Sequence, residues 1–306
     1  MDDHVIYLYA LPFFGVTMGL EALHLWHHAK EERPTAGSGG GDAVGYEPRD
    51  TFASLSMGTG YLAIAFFTEV ITIAIYHAIW HLRVVDLPNT VAMWVAAFVV
   101  QDLCFYWHHR TSHEVRFFWA AHVNHHSSNH YNLSTALRQS WTEHLFAALF
   151  YVPMALLGFP VEVFLVVHAF NLLYQYGVHT ESIGRMGVLE WVLNTPSHHR
   201  VHHGSNLRYL DKNYAGMFIV WDRMFGTFEP EDPEEPVRYG LTKPLESFNP
   251  VTIAFHEWVA LAKDVRDAGS WRGRFGLLLR PPGWREDGQH ETVRALTERA
   301  AQAGES

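Results

Sequence analysis

Three long apolar runs constrain the fold of this chain more than any other feature of its sequence. Residues 5–26, 60–80 and 90–107 are mostly apolar, and each run holds one acidic residue and no lysine or arginine. A helix of about 20 apolar residues is long enough to cross the hydrocarbon core of a bilayer. Three such runs are difficult to bury in one soluble core of 306 residues, so the sequence predicts an all-α integral membrane protein. The alternative is a soluble all-α protein with buried helices.

A fourth apolar stretch, residues 145–176, is interrupted at Gly158-Phe159-Pro160. Each half has about fifteen residues, and a helix of that length extends roughly 23 Å. The hydrocarbon core is about 30 Å thick, so this stretch predicts a shallow hairpin or a pair of helices that spans a thin region. The predicted fold is therefore a bundle of about four to five membrane-embedded helices.

Histidine is the most informative residue type, because 14 of the 22 histidines lie between residues 108 and 203. Eight of them form three clusters: His109 and His113; His122, His125 and His126; His199, His202 and His203. Spacings of three and four residues place side chains on one face of a helix. Neutral imidazole is a good ligand for iron, copper, nickel and zinc. The pattern predicts a histidine-rich helical cap on the membrane bundle that holds more than one metal ion.

Charge and cysteine content argue against other kinds of site. The formal net charge is −10 and the chain has no lysine- or arginine-rich run, which disfavours nucleic acid as a partner. Cys104 is the single cysteine. The sequence therefore excludes an intrachain disulfide and a cysteine cage for zinc.

The basic residues predict the orientation in the membrane, because cytosolic loops carry an excess of lysine and arginine. The chain begins with Asp2 and Asp3, which is not typical of a signal peptide. Basic residues lie between the first two apolar runs and throughout the histidine segment. We therefore expect the N-terminus outside and the histidine face in the cytosol. Residues 34–49, rich in glycine and serine, are predicted to form a flexible cytosolic loop.

Three longer motifs carry a family resemblance: DLCFYWHHRTSH at residues 102–113, HVNHHSS at 122–128 and NTPSHHRVHH at 194–203. With these motifs the chain resembles the fatty acid hydroxylase/sterol desaturase superfamily. Shorter matches lie at residues 175–181, 211–214, 221–228 and 281–284. The stretches 131–140 and 171–174 are most similar to the alkylglycerol monooxygenase branch, which oxidises ether lipids.

The resemblance implies nine metal ligands, and one of them stands alone in the motif QYGVHTE at residues 175–181. The nine are His109, His113, His122, His125, His126, His179, His199, His202 and His203. His198 is left undecided, and His108 is excluded because it points to a different helix face from its neighbour. The chain departs from the family at Asn129-His130, where relatives often carry an acidic residue, and at Gly177, where they often carry a bulkier one.

Acidic residues near the clusters are candidate partners of the ligands, since a ligating imidazole usually donates its other N–H to a carboxylate or carbonyl. Asp102 lies two helical turns before His109, and Glu114 matches a glutamate of the ether-lipid branch. These two are the predicted catalytic candidates. Glu143, Glu181 and Asp222 are further acids close in sequence to ligands. For each acid the alternative is a helix cap or a surface ion pair.

The resemblance implies a membrane-bound non-haem di-iron monooxygenase that hydroxylates a C–H bond of an ether lipid, a sterol or a fatty acyl chain with O₂. It implies electrons from outside the chain, supplied by tetrahydrobiopterin or by a cytochrome b5- or ferredoxin-type donor. A lipid desaturase on the same site is an open alternative. So are a metal-handling membrane protein and a di-zinc structural protein or hydrolase.

Three regions follow from these patterns. Residues 1–101 are predicted to hold the N-terminal membrane helices and the glycine-rich loop, and residues 102–245 the hydroxylase-like catalytic domain with the hairpin 145–176. Residues 246–306 are predicted to form an amphipathic helix and a polar tail, because apolar residues recur at helical spacing there.

Overall fold

The computed structural model of the chain describes residues 3–31 and 45–304. All regular structure in these two ranges is helical, which confirms the predicted all-α class. The α-helices are α1 (Asp3–Glu31), α2 (Pro48–Trp80), α3 (Val91–Glu114), α4 (Arg116–His122), α5 (Leu133–Ala136), α6 (His144–Ala147), α7 (Val152–Leu156), α8 (Val161–Val178), α9 (Pro196–His202), α10 (Val220–Phe225), α11 (Pro250–Asp267), α12 (Trp271–Leu279) and α13 (Val293–Ala303). Short 3-10 turns cover His125–Ser127, Ala148–Tyr151 and Gly187–Trp191.

Three of these helices, α2, α3 and α8, are long and apolar enough to cross a bilayer. This finding supports the predicted integral membrane protein, whereas the total number of spans stays a prediction. α1 covers the first apolar run, residues 5–26. Most of the predicted glycine-rich loop, residues 34–44, lies outside the described residues.

The fourth apolar stretch is less symmetrical than the predicted hairpin. Its first half is divided among α6, a 3-10 turn and α7, whereas α8 is one uninterrupted helix of 18 residues. The break falls at Gly158, whose φ of +93° lies in the left-handed region. A Cβ there would lie 2.1 Å from the carbonyl oxygen of Val85, so only glycine fits this corner.

The membrane helices pack around a common apolar core. Its buried residues come from α2, α3, α7 and α8 and the segments between them, with Tyr76, Tyr151 and Phe164 among the largest. The hydroxyl of Tyr76 and the indole of Trp80 donate to carbonyls at the corner before α8, at 3.0 and 3.1 Å. Polar tips of aromatic side chains thus satisfy the backbone where the helical ladder is interrupted.

The C-terminal ends of two candidate spans reach the same end of the bundle. The histidines of the first cluster lie in the last two turns of α3, and His179 is the C-terminal cap of α8. α4 follows α3 directly and packs against it, and α11 covers α4. Arg116 at the start of α4 forms ion pairs with Glu257 and Asp264 of α11, at 2.8 and 2.7 Å. This arrangement closes a helical cap over the ends of the membrane helices.

Candidate metal centre

Nine buried histidines lie together inside this cap, and they divide into two groups. Group one holds five residues, His109, His113, His122, His126 and His202. Group two holds four residues, His125, His179, His199 and His203. Within each group one ring nitrogen per residue lies within 4.8 Å of all the others. The structure therefore brings together all nine histidines that the sequence motifs predicted as ligands.

Five segments of the chain carry the two groups. The pair His109 and His113 shares one face of α3, as their spacing of four residues requires. His122 ends α4, and His125 and His126 occupy the 3-10 turn that follows. His126 joins His122 in group one, whereas His125 belongs to group two. α9 begins at Pro196, a residue type favoured in the first helical turn, and its last turn carries the third cluster.

The ring nitrogens approach each other as ligands of a shared ion would. In group one, Nε2 of His122 lies 3.1 Å from Nε2 of His109 and 3.2 Å from Nε2 of His126. In group two, Nε2 of His179 lies 3.1 Å from Nε2 of His125 and 3.0 Å from Nε2 of His199. Two ligands at right angles, each about 2.1 Å from one ion, are about 3.0 Å apart.

Several buried ring nitrogens have no hydrogen-bond partner among the described residues. They include Nε2 of His113 and His202 in group one and Nε2 of His203 in group two. A buried polar atom left unpaired costs about 1–3 kcal/mol, and a bound metal ion would remove that cost. The donor set therefore fits two metal ions held by imidazole nitrogen.

Backbone carbonyls orient three of the rings. Nδ1–H of His109 donates to the carbonyl of Tyr214 at 2.8 Å, and Nδ1–H of His202 donates to that of Lys212 at 2.9 Å. Nδ1–H of His179 donates to the carbonyl of Gln175 at 2.6 Å. A proton held on Nδ1 leaves the lone pair of Nε2 directed into the group, which fixes the tautomer a metal requires.

The turn that presents two of these carbonyls has an unusual backbone. Asp211 and Asn213 have φ of 58° and 55°, in the left-handed region that aspartate and asparagine tolerate better than most residues. Left-handed backbone at residues 211 and 213 thus alternates with ordinary backbone at their neighbours. This alternation directs the carbonyls of Lys212 and Tyr214 toward α9 and α3. The motif DKNY is thus explained by the carbonyls that it positions.

Burial keeps several of these imidazoles neutral. Desolvation, reinforced by neighbouring imidazoles, holds the pKa of His126, His199 and His203 well below the usual value of 6.5. Burial lowers the pKa of His179 to about 4 and that of His202 to about 3. Neutral imidazole is the form that binds a metal, so the site is ready to coordinate at neutral pH.

Comparisons with known proteins agree with this geometry. The fatty acid hydroxylase family model matches residues 94–227. The matched segment, residues 94–227, is similar to a fatty acid hydroxylase domain. The resemblance in the sequence motifs is thereby confirmed.

Relatives of known function share much of the chain. Alkylglycerol monooxygenase of Homo sapiens is 44% identical over 237 residues, which is 77% of this chain and 53% of that protein. Alkylglycerol monooxygenase of Xenopus tropicalis is 46% identical over 70% of this chain and 48% of its own length. Ornithine lipid hydroxylase OlsE of Rhizobium tropici is 31% identical over 48% of this chain and 45% of its own length. The chain spans about half the length of these relatives, and no solved structure matches it.

The acids that lie beside the histidines of the hydroxylase domain are Glu143 and Asp211. Oε1 of Glu143 lies 3.6 Å from Nδ1 of His122, and Oδ1 of Asp211 lies 3.6 Å from Nδ1 of His113. Burial raises the pKa of Glu143, but its interactions with His122 outweigh burial and bring the pKa to about 2. Burial raises the pKa of Asp211 to about 7. The sequence indicates Glu143 only as one of several acids near the ligands, and it indicates Asp211 only as part of the stretch 211–214.

The two acids predicted as catalytic candidates lie elsewhere. Asp102 accepts hydrogen bonds from the backbone N–H of Met217 and Phe218, at 2.7 and 2.9 Å, and from the indole of Trp221 at 2.9 Å. Glu114 pairs with Arg110 at 2.9 Å on the surface. Among the described residues, no hydrogen bond or ion pair joins either carboxylate to the nine histidines. Asp102 anchors the loop before α10 to α3.

Two further histidines of the domain border the groups without belonging to them. Nε2 of His108 lies 3.5 Å from Oε1 of Glu143, the same oxygen that lies near His122 of group one. The ring of His198 packs against Phe228 with centroids 5.3 Å apart. The structure thus places His108 outside both groups, as its helix face indicated, and does the same for the undecided His198.

Proposed function

We propose that this chain is a membrane-bound non-haem di-iron monooxygenase that hydroxylates a C–H bond of a lipid. The observation that carries the proposal is the pair of buried all-imidazole groups in a fatty acid hydroxylase domain. The named relatives, two alkylglycerol monooxygenases and an ornithine lipid hydroxylase, support a lipid substrate.

The interleaving of the two groups supports a pair of ions rather than two separate sites. His125 belongs to group two and His126 to group one. Likewise, His202 belongs to group one and His203 to group two. The rings of His126 and His203, one from each group, stack with centroids 4.4 Å apart. Consecutive residues therefore supply neighbouring groups, which supports two metal ions held side by side.

Iron is the metal that suits both the donor set and the reaction. Imidazole nitrogen binds several first-row metals, and iron with O₂ supplies the oxidising power needed to insert oxygen into an unactivated C–H bond. The residues of the chain hold the ions and exclude water, since all nine histidines are buried. Glu143 and Asp211, near the outer nitrogens of His122 and His113, offset the positive charge that metal ions bring.

The position of the groups supports a substrate that arrives from the bilayer. Both groups lie at the ends of α3 and α8, which are candidate membrane spans. A long apolar chain can thus stay in the membrane while its reacting carbon reaches the ions. We propose an ether lipid first, then a sterol or fatty acyl chain, with the histidine face in the cytosol. Electrons come from tetrahydrobiopterin or from a separate cytochrome b5- or ferredoxin-type donor.

The test is metal analysis and product analysis on protein purified in detergent without oxygen. The purified chain is supplied with ¹⁸O₂, a reductant, and alkylglycerols, sterols or fatty acids in turn. We expect about two iron ions per chain, one for each group, and ¹⁸O in a hydroxylated product. An unlabelled product with a new double bond indicates a desaturase. Zinc alone, with no oxygen-dependent product after iron reconstitution, contradicts the proposal and favours a metal-handling protein or a hydrolase.

A further inference from the structure

A cavity of about 200 Å³ opens on the face of α9 that the metal centre does not use. Its wall includes Arg185, Arg223, Trp191, Phe228 and His198. His198 is only 2% exposed, and its Nδ1 has no hydrogen-bond partner among the described residues. The cavity thus holds a buried polar atom that the protein itself leaves unused.

The two arginines of the cavity are held in place without being neutralised. The guanidinium of Arg223 stacks on the ring of Phe228 at 3.8 Å and donates to the carbonyl of Glu190 at 3.1 Å. Arg185 donates to the carbonyl of Glu231. Neither guanidinium lies within 4 Å of a carboxylate of the described residues. A stacked guanidinium such as that of Arg223, which keeps free donors, is suited to a phosphate.

The two carboxylates of the cavity are already engaged. Glu231 forms two hydrogen bonds with Arg200, at 2.9 and 2.7 Å. Glu190 accepts from the backbone N–H of Met186 at 2.9 Å. Arg200, which is not part of the wall, pairs with Glu231. The remaining charged side chains of the wall are Arg185, Arg223 and Glu190, so two guanidinium groups face one carboxylate, which favours an anion.

The rim of the cavity is strongly apolar. Val188 is 81% exposed, Trp191 71% and Met224 63%. Exposed large apolar side chains around a polar cavity are typical of a contact with another molecule or with a membrane. Tryptophan is enriched at the level of the lipid headgroups.

The rim continues directly into the surface of the membrane helices. The ring of Phe225 in α10 lies 5.1 Å from that of Trp107, at the end of the apolar run of α3. The hydroxyl of Tyr174 in α8 donates to the carbonyl of Asn194, just before α9, at 2.6 Å. The segments around the cavity are thus tied to two candidate spans, α3 and α8.

We propose that this cavity binds the phosphate headgroup of an anionic phospholipid from the adjoining leaflet. Arg185 and Arg223 bind the phosphate, and the rim around Trp191 inserts among the acyl chains. This lipid is not the substrate, because the cavity lies on the side of α9 away from the histidine groups. The site works with or without metal.

The experiment measures binding of phosphatidylglycerol to the full chain in neutral detergent, with phosphatidylcholine and inorganic phosphate as separate probes. Arg185→Gln/Arg223→Gln removes both guanidinium groups, and Arg238→Gln changes an exposed arginine outside the cavity. Since hydrogen bonds to charged groups are strong, we expect the double variant to weaken phosphatidylglycerol binding about tenfold or more. We expect Arg238→Gln to leave binding unchanged, and all variants to keep the metal content of the parent.

Three results would overturn the proposal. The first is equal binding of phosphatidylglycerol by the parent and the double variant. The second is binding of phosphatidylcholine as tight as that of phosphatidylglycerol, which would remove the need for an anionic lipid. The third is competition by inorganic phosphate at the same concentration as the lipid, which would make the cavity a site for free phosphate. Because metal content is measured in parallel, failure here is distinct from failure of the proposed monooxygenase.

Discussion

Nη1 of Arg138 lies 3.0 Å from Oδ1 of Asp50, and both side chains are almost fully buried. Asp50 belongs to the first turn of α2, whereas Nε of Arg138 donates to the carbonyl of Asn124 and to Oγ of Ser127, at 3.2 and 3.0 Å. The other carboxylate oxygen accepts from Ser128 at 2.5 Å. This ion pair therefore joins a membrane helix to the turn that carries His125 and His126.

We predict that breaking this pair destabilises the fold and loosens the metal centre. Asp50→Asn leaves the buried guanidinium without its countercharge, and loss of one partner of such a pair costs about 3–5 kcal/mol. Arg138→Met leaves the carboxylate unpaired and removes both bonds to the histidine turn. Thermal unfolding and metal content in detergent measure the two effects. We expect the double variant Asp50→Leu/Arg138→Met to unfold at a higher temperature than either single variant yet to bind metal poorly, and full metal content in that double variant would refute the positioning role.

α2 approaches the segment after α5 closely at Gly58 and Gly60. We therefore predict that neither glycine can be replaced by a larger residue without loss of stability. A Cβ on Gly58 would lie 2.7 Å from the carbonyl oxygen of Leu137, and a Cβ on Gly60 would lie 2.3 Å from Nε1 of Trp141. We expect Gly58→Ala to destabilise the protein by about 1–3 kcal/mol, because a backbone oxygen cannot move aside. Gly15→Ala in α1 is the matched control, since nothing lies within 4 Å of its Cβ. Equal unfolding temperatures for the two variants would show that α2 does not pack this closely.

Two neighbouring histidines of α9, His198 and His199, provide a test of which histidines bind metal. His199 belongs to group two, whereas His198 belongs to neither group although it is equally buried. We expect His199→Gln to lose most of the metal and the hydroxylase activity, because one imidazole donor of a small set is removed. We expect His198→Gln to retain both. The measurement is metal content per chain for both variants, and equal loss of metal would place His198 among the ligands.

Acid is predicted to destabilise the metal-free protein through its buried histidines. Burial lowers the folded-state pKa of His179 to about 4 and of His202 to about 3, below the value of 6.5 for an exposed histidine. The unfolded chain therefore binds more protons than the folded chain below that value. Their contribution to stability is complete above pH 6.5 and is lost as the pH falls toward 4 and 3.

Unfolding temperature of the metal-free protein between pH 7.5 and pH 4.5 tests this dependence. Replacement of His179 and His202 by glutamine removes the two titrating groups, so the variant should lose less stability over the same range. An unchanged pH slope in that variant would show that other groups control acid unfolding.

The spacing of histidines on a helix predicts which of their side chains share a face, and the structure brings the three clusters together. His179 stands alone in sequence and was predicted only from the family resemblance. The positions of the acids relative to the histidines were not predictable, for a physical reason. Asp102 shares a face of α3 with His109, but two turns separate them by about 10 Å, and the loop before α10 fills that space with its N–H groups. Glu114 is next to His113, and adjacent residues of a helix point in different directions.

Long-range contacts account for the features that the sequence could not indicate. Asp211 approaches His113 only because the turn around Asn213 folds back on α3 with a left-handed backbone. The interruption at Gly158 was visible as a break, yet the unequal lengths of the helices on its two sides depend on packing of α7 against α2. The spacing of residues along a helix predicts which side chains share a face of that helix. It does not predict which other segment of the chain packs against that face.

The carbonyls of Lys212 and Tyr214 complete the metal centre from far along the chain. Tyr214 orients His109 across a sequence separation of 105, and each group takes at least one histidine from α9. During translation, a ribosome that has not yet reached α9 has produced four histidines of group one and only two of group two. Group two thus has only half of its histidines until α9 is made, so we predict that any metal loading is a late step and that truncation before residue 199 weakens metal retention.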